Sequence, residues 1–189
     1  MMVKTEFYPV DKSRWKDLEK LFGARGACGG CWCMTWRLNT KEFNENKGEG
    51  NKKLLRKIVY SDERPGIIAY VNNEPAGWCA AAPREVYIKL EKSRVLGPVD
   101  GKEVWSISCL FIARQFRRQG LSTEILKSMI KLCKERGAKI LEAYPVEPYS
   151  ENIPAAFAWT GIPSSFERAG FKEVARRSRT RPIMRYYIK

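Results

Sequence analysis

Arg114-Gln115-Phe116-Arg117-Arg118-Gln119-Gly120-Leu121-Ser122 separates two segments of different periodicity. Before it, Glu103 to Ile112 is rich in β-branched and aromatic residues, the composition of a central strand. After it, Leu121, Ile125, Met129, Leu132 and Cys133 share one face of a helix running from Leu121 to Arg136, with Gly137 as its C-terminal cap. Lys139 to Val146 reads as the next strand, and Pro145 marks its end or its departure from the ladder. Strand, turn, helix and strand in this order resemble a βαβ unit, so Val104–Ile112 and Ile140–Val146 are expected to be parallel neighbours. The first amides of a helix have no partners within it, and together with the helix dipole they attract anions. Gly120 allows a tight turn and close approach of a phosphate, and Arg117 and Arg118 add charge. A diphosphate suits this turn. An ordinary strand-to-helix connection with a solvated basic face accounts for the same residues. The spaced glycines of a dinucleotide site and the Lys-Ser/Thr ending of a P-loop are missing, which disfavours both nucleotide folds.

Working outward, Val3 to Val10 reads as a first strand. Asp11 is a plausible N-cap for a helix from Ser13 to Phe22, which Gly23 ends. Gly26 to Gly30 is a loop, Asn39 to Asn51 holds a short helix and an exposed turn, and Lys52 to Tyr60 is a further short helix. Ile67–Val71 and Ala76–Ala82 flank the turn Asn72-Asn73-Glu74-Pro75 as a β-hairpin, which Pro83 closes. Arg84 to Arg94 is helical or irregular, and Gly97 to Gly101 is a turn. Gly161 to Ala169 reads as a short helix. Phe171–Ala175 and Ile183–Ile188 read as two final strands joined by the basic turn Arg176 to Arg181. No internal repeat or boundary is visible, so residues 1–189 read as a single mixed α/β domain with helices on both faces.

A hydrophobic fraction of 44% and an aromatic fraction of 12% describe a folded chain. No apolar run reaches membrane-spanning length and no signal-peptide region precedes Tyr8, so a cytoplasmic protein with no membrane partner is expected. The net charge of +14 attracts anions, whether nucleic acid, acidic protein or polyphosphate. The chain has no histidine, which removes Ser-His triads and His-based zinc sites. Without a secretory signal, the six cysteines do not imply disulfides.

Arg117-Arg118-Gln119-Gly120-Leu121-Ser122 resembles motif A of the GNAT superfamily of acyl-CoA-dependent N-acetyltransferases, Gln/Arg-x-x-Gly-x-Gly/Ala. Ser122 replaces the final small residue, a mild departure because serine is small and caps helices. Phe166-Glu167-Arg168-Ala169-Gly170-Phe171 resembles the family's Tyr-Glu-Lys-x-Gly-Phe, and the likeness covers roughly the C-terminal half. It implies a GNAT-like mixed twisted sheet flanked by helices, with Gly23 to Leu54 as an elaborated N-terminal, substrate-side region. It also implies acetyl-CoA as acyl donor. In the family, the strand before the motif pairs with the pantetheine arm through its backbone, which falls here on Leu110, Phe111 and Ile112. The turn binds pyrophosphate through its amides, which falls on Arg117, Arg118, Gln119, Gly120, Leu121 and Ser122. The flanking strands splay, and the acyl group lies between their ends. Phe166 stands where the family has its tyrosine acid; it has no hydroxyl and is expected to pack against the cofactor. Trp159 stands where many members have an asparagine that contacts it.

Acyl transfer to an amine needs proximity, removal of a proton and stabilisation of an oxyanion. A backbone amide near Leu110 or Phe111 is the oxyanion candidate. Glu142 is the candidate base, with a sheet-edge salt bridge as its alternative; Glu103 is less well situated. Tyr144, on the same strand face as Glu142, and Tyr149 are candidate hydroxyls, with packed aromatics as the alternative. Cys109 reads as a buried thiol. Cys28, Cys31 and Cys33 lack a nearby fourth ligand, so no metal is assigned; their loop is expected to wall the acceptor pocket, with Trp32 and Trp36 as apolar lining and Arg37 for an anion. The four arginines of Arg176–Arg181 suit RNA, an acidic protein, a carboxylate or plain solvent. The resulting expectation is transfer of acetyl from acetyl-CoA to a primary amine of a small molecule or peptide, by direct attack in a ternary complex. A non-catalytic acyl-CoA-binding or sensing domain and a basic RNA- or ribosome-associated protein are the alternatives. A homodimer is the ordinary default for a small enzyme.

Overall fold

The computed structural model describes residues 4–61, 63–148 and 158–189. Tyr149 lies outside them. Seven strands form one sheet in the order β1-β2-β3-β4-β5-β7-β6. They are β1 Thr5–Pro9, β2 Gly66–Val71, β3 Glu74–Pro83, β4 Trp105–Ile112, β5 Ile140–Ala143, β6 Lys172–Arg176 and β7 Pro182–Tyr187. Every neighbouring pair is antiparallel except β4 and β5, which run parallel as expected from the strand-helix-strand order. The helices are α1 Trp15–Phe22, α2 Thr40–Glu45, α3 Glu49–Tyr60, α4 Ile88–Glu91, α5 Leu121–Glu135 and α6 Pro163–Arg168. Among the described residues no helix is long and apolar enough to cross a membrane.

Local rules account for most of these elements. The apolar stripe of α5 buries Leu121, Ile125, Leu126, Met129, Leu132 and Cys133 against β2, β3 and β4, together with Phe166 and Phe171. On the other face, α1 buries Trp15, Leu18, Leu21 and Phe22 against Trp78 of β3, with α3 and the cysteine-rich loop alongside. The Trp78 ring is fully buried, and its Nε1 donates to Cys33 Sγ at 3.0 Å. A third cluster gathers Tyr87, Leu90, Leu96, Tyr144 and Ile183.

Several boundaries differ from the sequence expectation, two of them for reasons visible in the N-terminal half. The hairpin turn is the dipeptide Asn72-Asn73, with φ of 48° and 67°; Glu74 and Pro75 belong to β3. Paired left-handed residues are what a two-residue turn needs to match strand twist. Helix α3 starts at Glu49 rather than Lys52. Gly50 and a polar first turn hide that start. Asn51, fully buried, secures it by donating from Nδ2 to the Gly30 carbonyl at 3.1 Å, a contact between distant segments.

The β4/β5 pairing is short. Trp105, Ser106 and Ile107 oppose Leu141, Glu142 and Ala143, and there the ladder stops. β4 carries a bulge at Ser108, because Ala80 pairs with Cys109 while Ala81 pairs with Ile107. β5 ends at Ala143, three residues before Val146, just ahead of Pro145. Beyond this point the Leu110 amide donates to the Trp159 carbonyl at 2.8 Å, and the Val146 amide donates to the Gly161 carbonyl at 2.9 Å. The segment Trp159–Gly161 therefore lies between the diverging strands.

Behind the short ladder sits a charged network. Glu142 is fully buried; its Oε1 accepts from Arg84 Nη1 at 2.6 Å and its Oε2 from Arg185 Nε at 2.7 Å. Arg185 also donates to both Asp100 oxygens, at 2.8 and 3.0 Å. The Arg185 hydrogen bonds hold the Asp100 carboxyl at about 2, below its ordinary 3.8. A carboxyl held low in the folded state contributes stability that is complete above its ordinary pKa and is lost as pH falls toward the folded value. Asp100→Asn is therefore expected to flatten the decline of the thermal midpoint between pH 3.8 and about 2. Equal slopes for variant and parent would show that this pair does not contribute.

Candidate functional site

The end of β4, the turn after it, the start of α5 and the start of α6 enclose a cleft of ≈ 540 Å³. Leu110, Phe111 and Ile112 line it from β4. Arg117, Arg118, Gly120, Leu121 and Ser122 line it from the turn and helix. The backbone explains why this turn can hold an anion. Arg118 and Gly120 are both left-handed, with φ of 61° and 81°. Alternation of this kind turns successive amides toward one concavity. The amides of Arg118, Gln119, Gly120, Leu121 and Ser122 donate to no backbone carbonyl among the described residues. A Cβ on Gly120 would touch nothing within 4 Å, so the left-handed backbone, not crowding, is what calls for glycine there.

Two residues expected at the cleft stand outside its lining. The Gln119 side chain turns back to donate from Nε2 to the Gln115 carbonyl at 2.9 Å. Phe166 is fully buried and packs on Phe171 with ring centroids 5.3 Å apart. Its Cε2 lies 2.7 Å from where a Cβ on Gly161 would be, so it supports the Trp159–Gly161 segment from beneath. Arg117 lines the cleft, but its Nε is tethered to the Ile112 carbonyl at 2.8 Å. Residues that sequence reasoning passed over also line it: Ser165 and Arg168 of α6, and Ala27 and Cys28 of the cysteine-rich loop. Ser165 Oγ lies 3.0 Å from Ser122 Oγ, joining α6 to the turn. Arg168 sits inside the quoted Phe166–Phe171 segment, a signal that was legible, and Cys28 belongs to the loop expected to wall the acceptor pocket.

On the β4 edge, the two backbone groups of one residue point the same way in a strand. The Phe111 carbonyl lies 3.3 Å from a virtual Gly77 Cβ, on the β3 side, so Phe111 offers its backbone to the sheet and only its side chain to the cleft. Leu110 and Ile112 face the open edge. The Leu110 amide is already taken by Trp159, and the Ile112 carbonyl by Arg117. Among the described residues the Leu110 carbonyl and the Ile112 amide are left as an acceptor and donor on that edge. An oxyanion contact at Leu110 therefore requires the Trp159 carbonyl to give way, and Phe111 is turned away from that role.

Glu142 and Tyr144 come together, but not in the cleft. The Tyr144 hydroxyl lies 2.7 Å from Glu142 Oε1, 2.6 Å from Arg84 Nη1 and 2.7 Å from Ser106 Oγ, and the ring is fully buried. Burial first, then the Glu142 charge, pushes the Tyr144 hydroxyl well above its ordinary value. Both Glu142 oxygens are held by guanidinium donors, so it is not positioned to take a proton from an amine. The salt-bridge alternative describes it, in the sheet interior rather than at an edge. Glu103 is exposed and precedes β4.

The cysteine-rich loop divides in function. Trp32 does not line this cleft: it is buried between Trp15 and Phe22, with centroids 6.1 and 5.4 Å away. Trp36 packs behind the lining, its ring centroid 5.6 Å from that of Trp159. Burial pushes the Cys31 thiol up to about 11, and Cys109 is pushed well above its ordinary value by its Cys33 hydrogen bond and by burial. The basic turn folds back on the protein. Arg176 binds Glu173 and Glu147 at 2.7 and 3.0 Å, Arg177 binds the Gly97 and Pro98 carbonyls at 2.6 and 2.7 Å, and Arg181 binds the Tyr144 carbonyl at 3.0 Å.

The sequence profile of the acetyltransferase (GNAT) family matches residues 32–157. No curated protein matches the chain. Among solved structures, an agmatine N-acetyltransferase variant in apo form superposes with a TM-score of 0.58 at 12% identity, covering 97% of this chain and 99% of that one. The GNAT-family acetyltransferase from Streptococcus pneumoniae gives 0.54 at 12% identity, with coverage of 98% and 100%. The PaiA N-acetyltransferase from Thermoplasma acidophilum, in complex with coenzyme A, gives 0.53 at 15% identity, with coverage of 97% and 99%. At such identities the likeness is one of fold.

Glu142→Gln should act on stability. Removing one partner of a buried ion pair costs about 3–5 kcal/mol, because the other charges stay buried. Chemical denaturation is expected to show a loss of that order, with the pH profile of any surviving activity unchanged. A shifted profile at full stability would return Glu142 to the role of base.

Proposed function

The chain belongs to the GNAT acetyltransferase family, and on that premise we propose that it transfers an acetyl group from acetyl-CoA to a primary amine of a small molecule or peptide in a ternary complex. The observation that carries the reading is the row of unpartnered amides from Arg118 to Ser122, opening into the same cleft as the free edge of β4. This donor set fits a pyrophosphate: it combines backbone N–H groups, a helix N-terminus and two cations, Arg118 and Arg168. The Leu110 carbonyl and Ile112 amide match the alternating donors and acceptors of a pantetheine arm. Acetyl-CoA would supply an acyl group activated as a thioester, with a thiolate as leaving group.

The chain's own residues then orient and exclude. Leu110, Phe111 and Trp159 wall the inner end of the cleft and limit water there. The amine nitrogen bonds to the acyl carbon, the carbon–sulfur bond breaks, and the amine loses one proton to solvent. Phe166 has no proton to give, so a thiolate leaves without acid assistance from that position; its ring keeps the Trp159–Gly161 segment against β4. The same apolar Phe166 favours a second reading, an acyl-CoA-binding domain without turnover.

Gly120→Val tests the cradle. A β-branched residue at φ +81° is strained by about 1–3 kcal/mol, and relaxation of the turn to relieve that strain turns the amides out of the concavity, which converts to about fivefold or more in affinity. Calorimetric titration with acetyl-CoA is expected to show at least that rise in Kd, with the fold retained. An unchanged Kd would remove the turn as the pyrophosphate site. Release of free CoA across an amine panel separates the two readings: turnover supports the transferase, and tight binding with no turnover supports the sensor.

A further inference from the structure

On the side of β4 that faces the cysteine-rich loop, several buried polar atoms have no hydrogen-bond partner among the described residues. They are Trp36 Nε1, Arg37 Nη2 and Thr160 Oγ1, together with Tyr87 OH and Ser108 Oγ, two neighbouring hydroxyls that have only each other. Tyr87 is 0% exposed, and Ser108 and Thr160 are each 1% exposed. Buried polar groups are almost always paired, so a group of them left open is a signal.

Contacts tie these atoms into one region. The Arg37 guanidinium lies 5.3 Å from the centre of the Tyr87 ring. Burial raises the Tyr87 hydroxyl to about 12, and the neighbours that pull it back down are Arg37 and Ser108. Ser108 is the bulged residue of β4, two positions before Leu110. Trp36 stacks near Trp159, whose carbonyl holds the Leu110 amide, and Thr160 follows Trp159 in the chain. The group thus runs from Arg37, past Tyr87 and Ser108, to the inner end of the cleft.

The chemistry of the set selects its ligand. The indole N–H and the guanidinium only donate, and the three hydroxyls can donate as well. Arg37 spends Nη1 on Glu63 at 3.0 Å and keeps Nη2 open. The nearby carboxylates are already committed: Glu63 to Arg37, and Glu142 to Arg84 and Arg185. Among the described residues a cationic acceptor such as a polyamine would meet donors and no open carboxylate. A planar carboxylate would meet the open Nη2 of a guanidinium, an indole N–H and hydroxyls.

We propose that this cluster is a carboxylate subsite for the acceptor, so that the amine acetylated by this protein is an amino carboxylic acid. Arg37 and Trp36 would hold the carboxylate, with Tyr87 and Ser108 completing its hydrogen bonds, while the amino group reaches the thioester beside Leu110. The inference rests on the acetyl-transfer reading above.

The test compares the standard amino acids with their α-amides in the CoA-release assay, since the amide keeps the amine and side chain and removes the charge. At least one acid is expected to be used roughly tenfold or more efficiently than its amide, as for a charge partner desolvated in a site. Trp36→Phe, which keeps the ring facing Trp159, and Arg37→Gln should each raise KM for that acid and reduce the preference. Neither should change the Kd for acetyl-CoA. Amides or polyamines used as well as acids, a preference unchanged in both variants, or turnover of other amines but of no acid would each overturn this inference alone, whereas acetyl-CoA binding with no turnover of any amine would overturn the acetyl-transfer reading with it. A protein that does not bind acetyl-CoA would overturn the acetyl-transfer reading as well.

Discussion

Where β4 and β5 part, two strands that have just begun to pair give up their hydrogen bonds in the middle of a sheet. Three residue pairs form, from Trp105–Leu141 to Ile107–Ala143, and the ladder then opens. Two local features cause it: the Ser108 bulge bends β4, and Pro145 has no N–H to continue β5. Opening a sheet leaves amides and carbonyls that must find partners. The Trp159–Gly161 segment satisfies the Leu110 amide of β4 and the Val146 amide of the chain just past β5. The cleft, the free edge of β4 and the position of Trp159 all follow from that parting. So does the support role of Phe166, whose ring meets Gly161 from below.

The charge of +14 is spent unevenly. Much of it is structural: Arg84 and Arg185 clamp Glu142, while Arg176, Arg177 and Arg181 tie the final turn to neighbouring carboxylates and carbonyls. Arg118 and Arg168 stand at the cleft instead, where amides without partners add to their field. The arginine-rich final turn and the turn before α5 look alike as strings of letters. They differ in whether the backbone around them has spare donors and whether acidic side chains lie within reach.

Much of the architecture was legible because its signals are local. The α5 stripe, the glycine that closes it, the hairpin and the βαβ order are read from periodicity and turn chemistry, and the strands and helices fall within a few residues of expectation. The exceptions share one cause. The first turn of α3 is held by Asn51 reaching Gly30, Trp32 is drawn into the core by Trp15 and Phe22, and β5 ends early because its neighbour bulges. Each depends on residues far away in the chain.

The candidate site divides along the same line. The turn from Arg114 to Ser122 was marked by the sequence alone, since a glycine between a strand and an amphipathic helix suffices to expose helix-end amides. Ionic partners were not so marked. Glu142 looks like a base in a strand and becomes a clamped buried anion only when Arg84 and Arg185 arrive from opposite directions. The family resemblance and the fold were available from the order of local elements. The sequence pointed to Trp36 and Arg37, but the groups they meet beside the cleft, Tyr87, Ser108 and Trp159 among them, were decided by tertiary packing, because burial and hydrogen-bond saturation are properties of neighbours that the chain supplies from elsewhere.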